Sequence, residues 1–204
     1  MIVLILVDLQ YDFLPGGALA VPEGDKIIPL VNQLQSQFDL IVATQDWHPA
    51  EHQSFASQHP GKQVGEEVDL QGLPQVLWPD HCIDSTHGAA LSEELKRDKI
   101  KRIFRKGTDP EIDSYSGFFD NGHKKATGLG DYLKEQGVDK VFIVGLATDY
   151  CVKYTALDAA HLGFETTVIT DATKGVNLQP GDSDVAMKEM EEKGVRLITS
   201  QHIL

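Results

Sequence analysis

The chain has 204 residues, 41% of them hydrophobic, which is enough to bury one sizeable core, and no shift in composition marks a second one, so 1–204 reads as a single domain. A formal net charge of −13 argues against nucleic acid or an anionic membrane as partner, because binding phosphate needs clustered Lys and Arg. Two cysteines, Cys82 and Cys151, make no disulfide framework and fit a reducing, cytoplasmic setting.

The opening run, IVLILV at 2–7, is apolar, but it reaches Asp8 too early and lacks a basic leader and a cleavage pattern. It reads as a strand and not as a signal peptide. Further apolar, β-branched runs follow at 40–44, 101–106 (the weakest), 140–145, 166–170 and 195–199, and none is long enough to span a bilayer. Between them, helical spacing appears at 26–38, 89–97, 124–136, 151–162 and 181–193. Strands without a polar face, alternating with helices, predict an α/β fold: an open six-stranded parallel sheet with helices on both faces. The stretch 46–87 breaks the rhythm with four prolines, five of the eight histidines and both tryptophans. It reads as a structureless loop, and a long one inside a compact domain points to function.

In open parallel sheets ligands bind beyond the carboxyl ends of the strands. Those ends carry Asp8 after the first strand, Asp46 and His48 after the second, Lys106 after the third, and the turn ATDYC after the fourth. Cys151 falls at the start of a helix, with Thr148 and Asp149 as candidate caps; unpaired N–H groups and the helix dipole there favour a thiolate. Asp8 ends a buried strand, where an ionised carboxylate needs a partner. Together, a carboxylate can take the thiol proton while the Lys106 ammonium stabilises the ionised pair, with no histidine required. Asp46 and His48, two apart in an extended chain, point to the same side and can converge on one ion. A third ligand would come from Asp80, His81 or Cys82, and spacing does not choose among them.

The segments VDLQYDF, TQDWHP, LWPDHC, RKG with YSGF, and GLATDYCV together resemble those of nicotinamidases, within the isochorismatase-like cysteine hydrolases. The resemblance implies a catalytic triad of Asp8, Lys106 and Cys151, with a cis peptide before Ala147 and an oxyanion hole from the N–H groups of Ala147 and Cys151. It selects His81 as the third ligand, giving a site of Asp46, His48 and His81 for one divalent transition metal ion: zinc, iron or manganese. Glu51 and His52 stay outside this ligand set, both expected to be solvent-exposed, and Cys82 reads as structural or merely close to the site. Phe13 and Trp78 would flank a flat aromatic ring, with Tyr115 nearby.

The implied substrate is a small carboxamide: nicotinamide, cleaved to nicotinate and ammonia in NAD salvage, with pyrazinamide as a second substrate. The competing readings are another amidase or carbamoyl hydrolase on the same scaffold, and a non-catalytic metal-binding protein. A homo-oligomer is compatible with all of them.

Overall fold

The computed structural model describes residues 1–204. Its strands are β1 (Ile2–Val7), β2 (Leu40–Asp46), β3 (Glu67–Leu70), β4 (Leu73–Val76), β5 (Ile100–Lys106), β6 (Lys140–Leu146), β7 (Glu165–Lys174) and β8 (Arg196–Ile198). Its α-helices are α1 (Ile28–Leu34), α2 (Leu129–Glu135), α3 (Lys153–His161) and α4 (Asp182–Glu192). Six strands form one parallel sheet in the order β5-β2-β1-β6-β7-β8, as the alternating runs predict. The chain builds outward from β1 through β2 to β5, then returns to add β6 on β1's other side. The strand order therefore reverses between β1 and β6, and a crevice opens there at the carboxyl ends.

β1 is apolar throughout because both its faces are covered. Leu4 and Leu6 pack with Ile28, Val31 and Leu34 of α1. Val3, Ile5 and Val7 pack on the opposite face with Leu129 and Leu133 of α2, Ala156 and Ala159 of α3, and Met190 of α4. Each such side chain contributes about 1.5–3 kcal/mol by leaving water, so truncating Ile5 to Ala would cost roughly 2–5 kcal/mol. At the end of β6, Gly145 has φ +119°, and a Cβ there would lie 2.1 Å from the Val7 carbonyl oxygen. Only glycine lets β6 approach β1 this closely just before the crevice.

The local predictions differ from the structure in four places. Residues 89–97 bury Ala89, Leu91 and Leu95 but form no helix. Their backbone bonds the segment after β1 instead, with the Ser92 N–H on Leu9 O at 2.9 Å and the Tyr11 N–H on Ala90 O at 3.1 Å. The helical stretch expected at 124–136 forms only from Leu129, and the one at 151–162 only from Lys153. The stretch 46–87 is not structureless: β3 and β4 make an antiparallel hairpin. Gln71 and Gly72, both with positive φ (58° and 80°), turn it in the manner of a type I′ loop.

Candidate active site

Four strand ends meet over the crevice. Asp46 and Lys106, the last residues of β2 and β5, are register partners, so their side chains leave the sheet together. The fully buried Lys106 ammonium donates to Asp46 Oδ1 (2.5 Å), Ser114 O (2.9 Å) and Cys151 Sγ (3.3 Å). Those bonds use its three protons. Asp8 Oδ2, 2.9 Å from the same nitrogen, is therefore an electrostatic contact and remains a buried oxygen without an aligned donor. Asp8 Oδ1 accepts the Thr44 hydroxyl at 2.6 Å. Acceptor atoms of Asp8, Asp46 and Cys151 lie within 4.8 Å of one another, so a thiol proton has the Asp8 carboxylate close by.

The charges are strongly interdependent. Burial pushes the Cys151 thiol well above its ordinary value; Lys106 opposes that shift, while Asp8 and Asp46 add to it. A resting thiolate, expected from a helix start, is thus disfavoured, because the dipole of one turn is weak against full burial beside two carboxylates. Burial also raises the Asp8 carboxyl, with Lys106 pulling against it. Burial acts to raise Asp46 too, but Lys106, His48 and His81 outweigh it and hold that carboxyl far below the usual range. Lys106 itself is raised well above normal, since Asp46 and Asp8 overcome the cost of burying it.

Cys151 sits in a wide π turn, Thr148–Val152, closed by the Val152 N–H on Ala147 O at 3.0 Å and leading into α3. The Leu146–Ala147 peptide is cis, as expected. Thr148 and Asp149 do not cap the helix. The Thr148 hydroxyl bonds Thr173 Oγ1, and the Asp149 carboxylate accepts the N–H groups of Val176 (2.9 Å) and Asn177 (2.7 Å), pinning the loop after β7 against the crevice.

Asp46 Oδ2 faces two imidazoles, His48 Nε2 at 3.5 Å and His81 Nε2 at 3.9 Å. Each ring has its other nitrogen on a backbone carbonyl: His48 Nδ1 on Gly107 O (2.8 Å) and His81 Nδ1 on Pro79 O (2.7 Å). A carbonyl only accepts, so both Nδ1 atoms carry a proton and both Nε2 atoms are turned toward Asp46, where each offers a lone pair once it is unprotonated. His48 Nε2 has no hydrogen-bond partner although it is buried. One carboxylate oxygen and two ring nitrogens, each group fixed by a bond on its far side, converge in an arrangement that could hold a metal ion. Burial and the neighbouring His48 lower the His81 pKa to about 4, which keeps that lone pair free. Gly107 makes room for this arrangement: with φ +64°, a Cβ there would lie 2.3 Å from the His48 ring.

His52 corrects the expectation of exposure. It is fully buried, its ring 4.4 Å from that of His48, while Glu51 is exposed as expected. The Ser54 N–H bonds His52 Nδ1 at 3.2 Å, and His52 Nε2 has no partner. His48, His52 and the buried Asp113 also bring ligand atoms within 4.8 Å of one another. The sequence showed no periodicity that would bury His52; four histidine or phenylalanine rings of this loop, His48, His52, Phe55 and His81, pack on each other instead.

A cavity of about 380 Å³, including its open mouth, joins Cys151 to Asp46 and His81. Phe13, Trp78, Tyr115, His81, Ala147 and Cys151 line it, as does Asp46. Leu19, Asp113, Tyr150 and Val176 line it as well and were not singled out from sequence. Tyr150 stands beside Cys151 and was legible from that adjacency; Leu19 and Val176 arrive by loop closure and were not. Trp78 Nε1 and Gln75 Nε2 both donate to the Tyr115 hydroxyl, at 3.1 and 3.0 Å, locking these rings into one wall. Cys82 is buried next to His81 in the core cluster that includes α1, and burial raises its thiol, with Asp46, Asp12 and Asp8 adding to the rise.

This is a doubly wound α/β protein with its reactive groups at the point where strand order reverses. The isochorismatase domain model matches residues 2–202. The nicotinamidase of Escherichia coli (strain K12) is 51% identical over 200 residues, covering 96% of this chain and 93% of the relative. An Acinetobacter baumanii nicotinamidase/pyrazinamidase superposes with a TM-score of 0.97 at 49% identity, over 100% of this chain and 98% of that one. The pyrazinamidase of Pyrococcus horikoshii, in complex with zinc, superposes with a TM-score of 0.79 at 42% identity, over 97% and 98% of the two chains. The chain belongs to the isochorismatase domain family.

Proposed function

We propose that the chain hydrolyses nicotinamide to nicotinate and ammonia through a thioester on Cys151, a reaction of NAD salvage, and that it also accepts pyrazinamide. The observation that carries this reading is the contact of Lys106 Nζ with Cys151 Sγ, 3.3 Å, inside a cavity walled by aromatic rings. Full-length similarity to nicotinamidases supports the substrate.

In this reading Asp8 Oδ2 takes the thiol proton as Sγ attacks the carboxamide carbon, so charge separates only in the transition state, next to Lys106. Burial raises the Asp8 carboxyl, which makes it a better proton acceptor for the thiol than an ordinary carboxylate. The N–H groups of Ala147 and Cys151, both at the cavity wall, would meet the developing oxyanion. Asp8 then gives its proton to the departing ammonia, and a water deprotonated by the same carboxylate cleaves the thioester. Phe13 and Trp78 hold the ring.

Asp46, His48 and His81 would hold one divalent transition metal, zinc, iron or manganese, and their converging acceptor atoms fit that role. When bound, the ion supplies a Lewis-acidic position beside the cavity for a ring nitrogen or water. His81 lies on the cavity wall with Cys151, so a ring anchored at this end presents its carboxamide to the thiol. The rival reading, an amidase for non-aromatic amides, leaves the aromatic wall and the histidine cluster without a role. Incubating purified, metal-loaded protein with nicotinamide and measuring ammonia and nicotinate in equal amounts tests the proposal; no release of either refutes it.

A further inference from the structure

Two residues of the segment after β1, Gln10 and Asp12, take no part in the chemistry above, yet their side chains are committed to the peptides that carry the metal-site ligands. Gln10 is fully buried. Its Oε1 accepts the Asp46 N–H at 2.8 Å, and its Nε2 donates to Asp46 O and to Ala89 O, both at 2.8 Å. One amide thus holds the Asp46 peptide on both sides, in place of a ladder partner that the sheet no longer provides at its end.

Asp12 does the same for the other arm of the site. Its Oδ2 accepts the Cys82 N–H, the peptide group that follows His81, at 2.7 Å, and Oδ1 accepts the Ala18 N–H at 3.3 Å. Cys82 has φ +46°, a left-handed conformation that a non-glycine residue rarely adopts without support, and a charged acceptor on its N–H provides that support. The Cys82 carbonyl in turn accepts the His48 N–H at 3.0 Å, so the backbones presenting His48 and His81 are tied to each other and then to Asp12. Room for the Asp12 carboxylate is provided by Gly88, where a Cβ would fall 2.2 Å from Oδ2.

We propose that Gln10 and Asp12 are positioning residues for the metal site, Gln10 setting Asp46 and Asp12 setting His81 through the Cys82 peptide. The segment that carries Asp8 then fixes the nucleophile's base and the metal ligands from one strand end. The proposal rests on the reading of Asp46, His48 and His81 as ligands. Residues that orient metal ligands typically change metal affinity by about 10–100-fold when removed.

The test measures zinc affinity by chelator competition for wild type, Asp12→Ala and Asp12→Asn. Metal-free Tm and the rate of Cys151 alkylation by iodoacetamide are measured alongside. Asp12→Ala should bind zinc about 10–100-fold more weakly, and Asp12→Asn, which keeps an acceptor oxygen, should recover most of that loss. Alkylation should stay near wild type, since Asp12 does not touch the Cys151 thiol, and Tm should fall only by what one lost hydrogen bond to the Cys82 N–H costs. Wild-type affinity in Asp12→Ala overturns the proposal. So does a loss that only follows a lower Tm and faster alkylation, because that is general loosening. If Asp12→Ala does not fold, Gln10→Met decides: about tenfold weaker zinc binding supports the proposal, and unchanged binding overturns it. Wild-type protein that binds no zinc refutes the ligand reading itself, a result distinct from any of these.

Discussion

Lys106 and Asp46 end neighbouring parallel strands as register partners, and their side chains meet with Nζ 2.5 Å from Oδ1. The ammonium that touches the Cys151 sulfur therefore also balances the carboxylate whose other oxygen faces His48 and His81. The nucleophile and the histidine cluster share one cation, and changing that cation should be felt on both sides.

Lys106→Ala should shift the Cys151 thiol further upward. Burial already raises it, and Lys106 is the cation opposing that rise. A higher pKa means a smaller thiolate fraction at any given pH, so the iodoacetamide rate profile should move to higher pH than in wild type. Identical profiles would rule out the electrostatic role. The same variant leaves Asp8 and Asp46 buried without their partner, and urea unfolding should show a loss of about 3–5 kcal/mol.

Thr44→Val removes the hydroxyl that donates to Asp8 Oδ1 while keeping the side chain's shape. That bond lowers the Asp8 carboxyl, so its loss raises a value already raised by burial. If ionised Asp8 is the proton acceptor, the acid limb of kcat/KM for nicotinamide moves to higher pH in this variant. An unmoved acid limb would assign it to another group.

Most of the sheet was legible because its strands are buried on both faces and read as unbroken apolar runs, IVLILV above all. The residues just beyond those runs, Asp8, Asp46, Lys106 and Cys151, could then be located from the strand ends alone. What was hidden depends on contacts distant in sequence. Residues 89–97 have helical spacing, but their backbone groups find partners at Leu9 and Tyr11. His52 is buried by rings of its own loop, and Thr44 reads as ordinary strand until Asp8 is placed beside it. The Cys82 peptide matters through its backbone, which a side-chain motif does not reveal.

Gly107→Ala should damage the histidine cluster selectively. Its Cβ would lie 2.3 Å from the His48 ring and would also sit at a positive φ. His48 must turn away, so zinc affinity measured by chelator competition should fall by about tenfold or more. Affinity within twofold of wild type would mean that His48 does not need its present orientation.

Benzamide keeps the ring and the carboxamide of nicotinamide but lacks the ring nitrogen. If the Asp46, His48 and His81 site anchors that nitrogen, kcat/KM for benzamide should be lower by about 10²-fold or more, roughly 3 kcal/mol. Comparable values for the two amides in metal-loaded protein would leave the cluster a structural role.

The central claim is that Cys151 is the nucleophile, and ammonia release from saturating nicotinamide by Cys151→Ala and Cys82→Ala, side by side with wild type, tests it most directly. The account predicts that Cys151→Ala loses at least about 10⁴-fold in kcat with its zinc content unchanged, while Cys82→Ala keeps kcat within about tenfold of wild type. Turnover by Cys151→Ala near the wild-type rate, or a loss confined to Cys82→Ala, would contradict it.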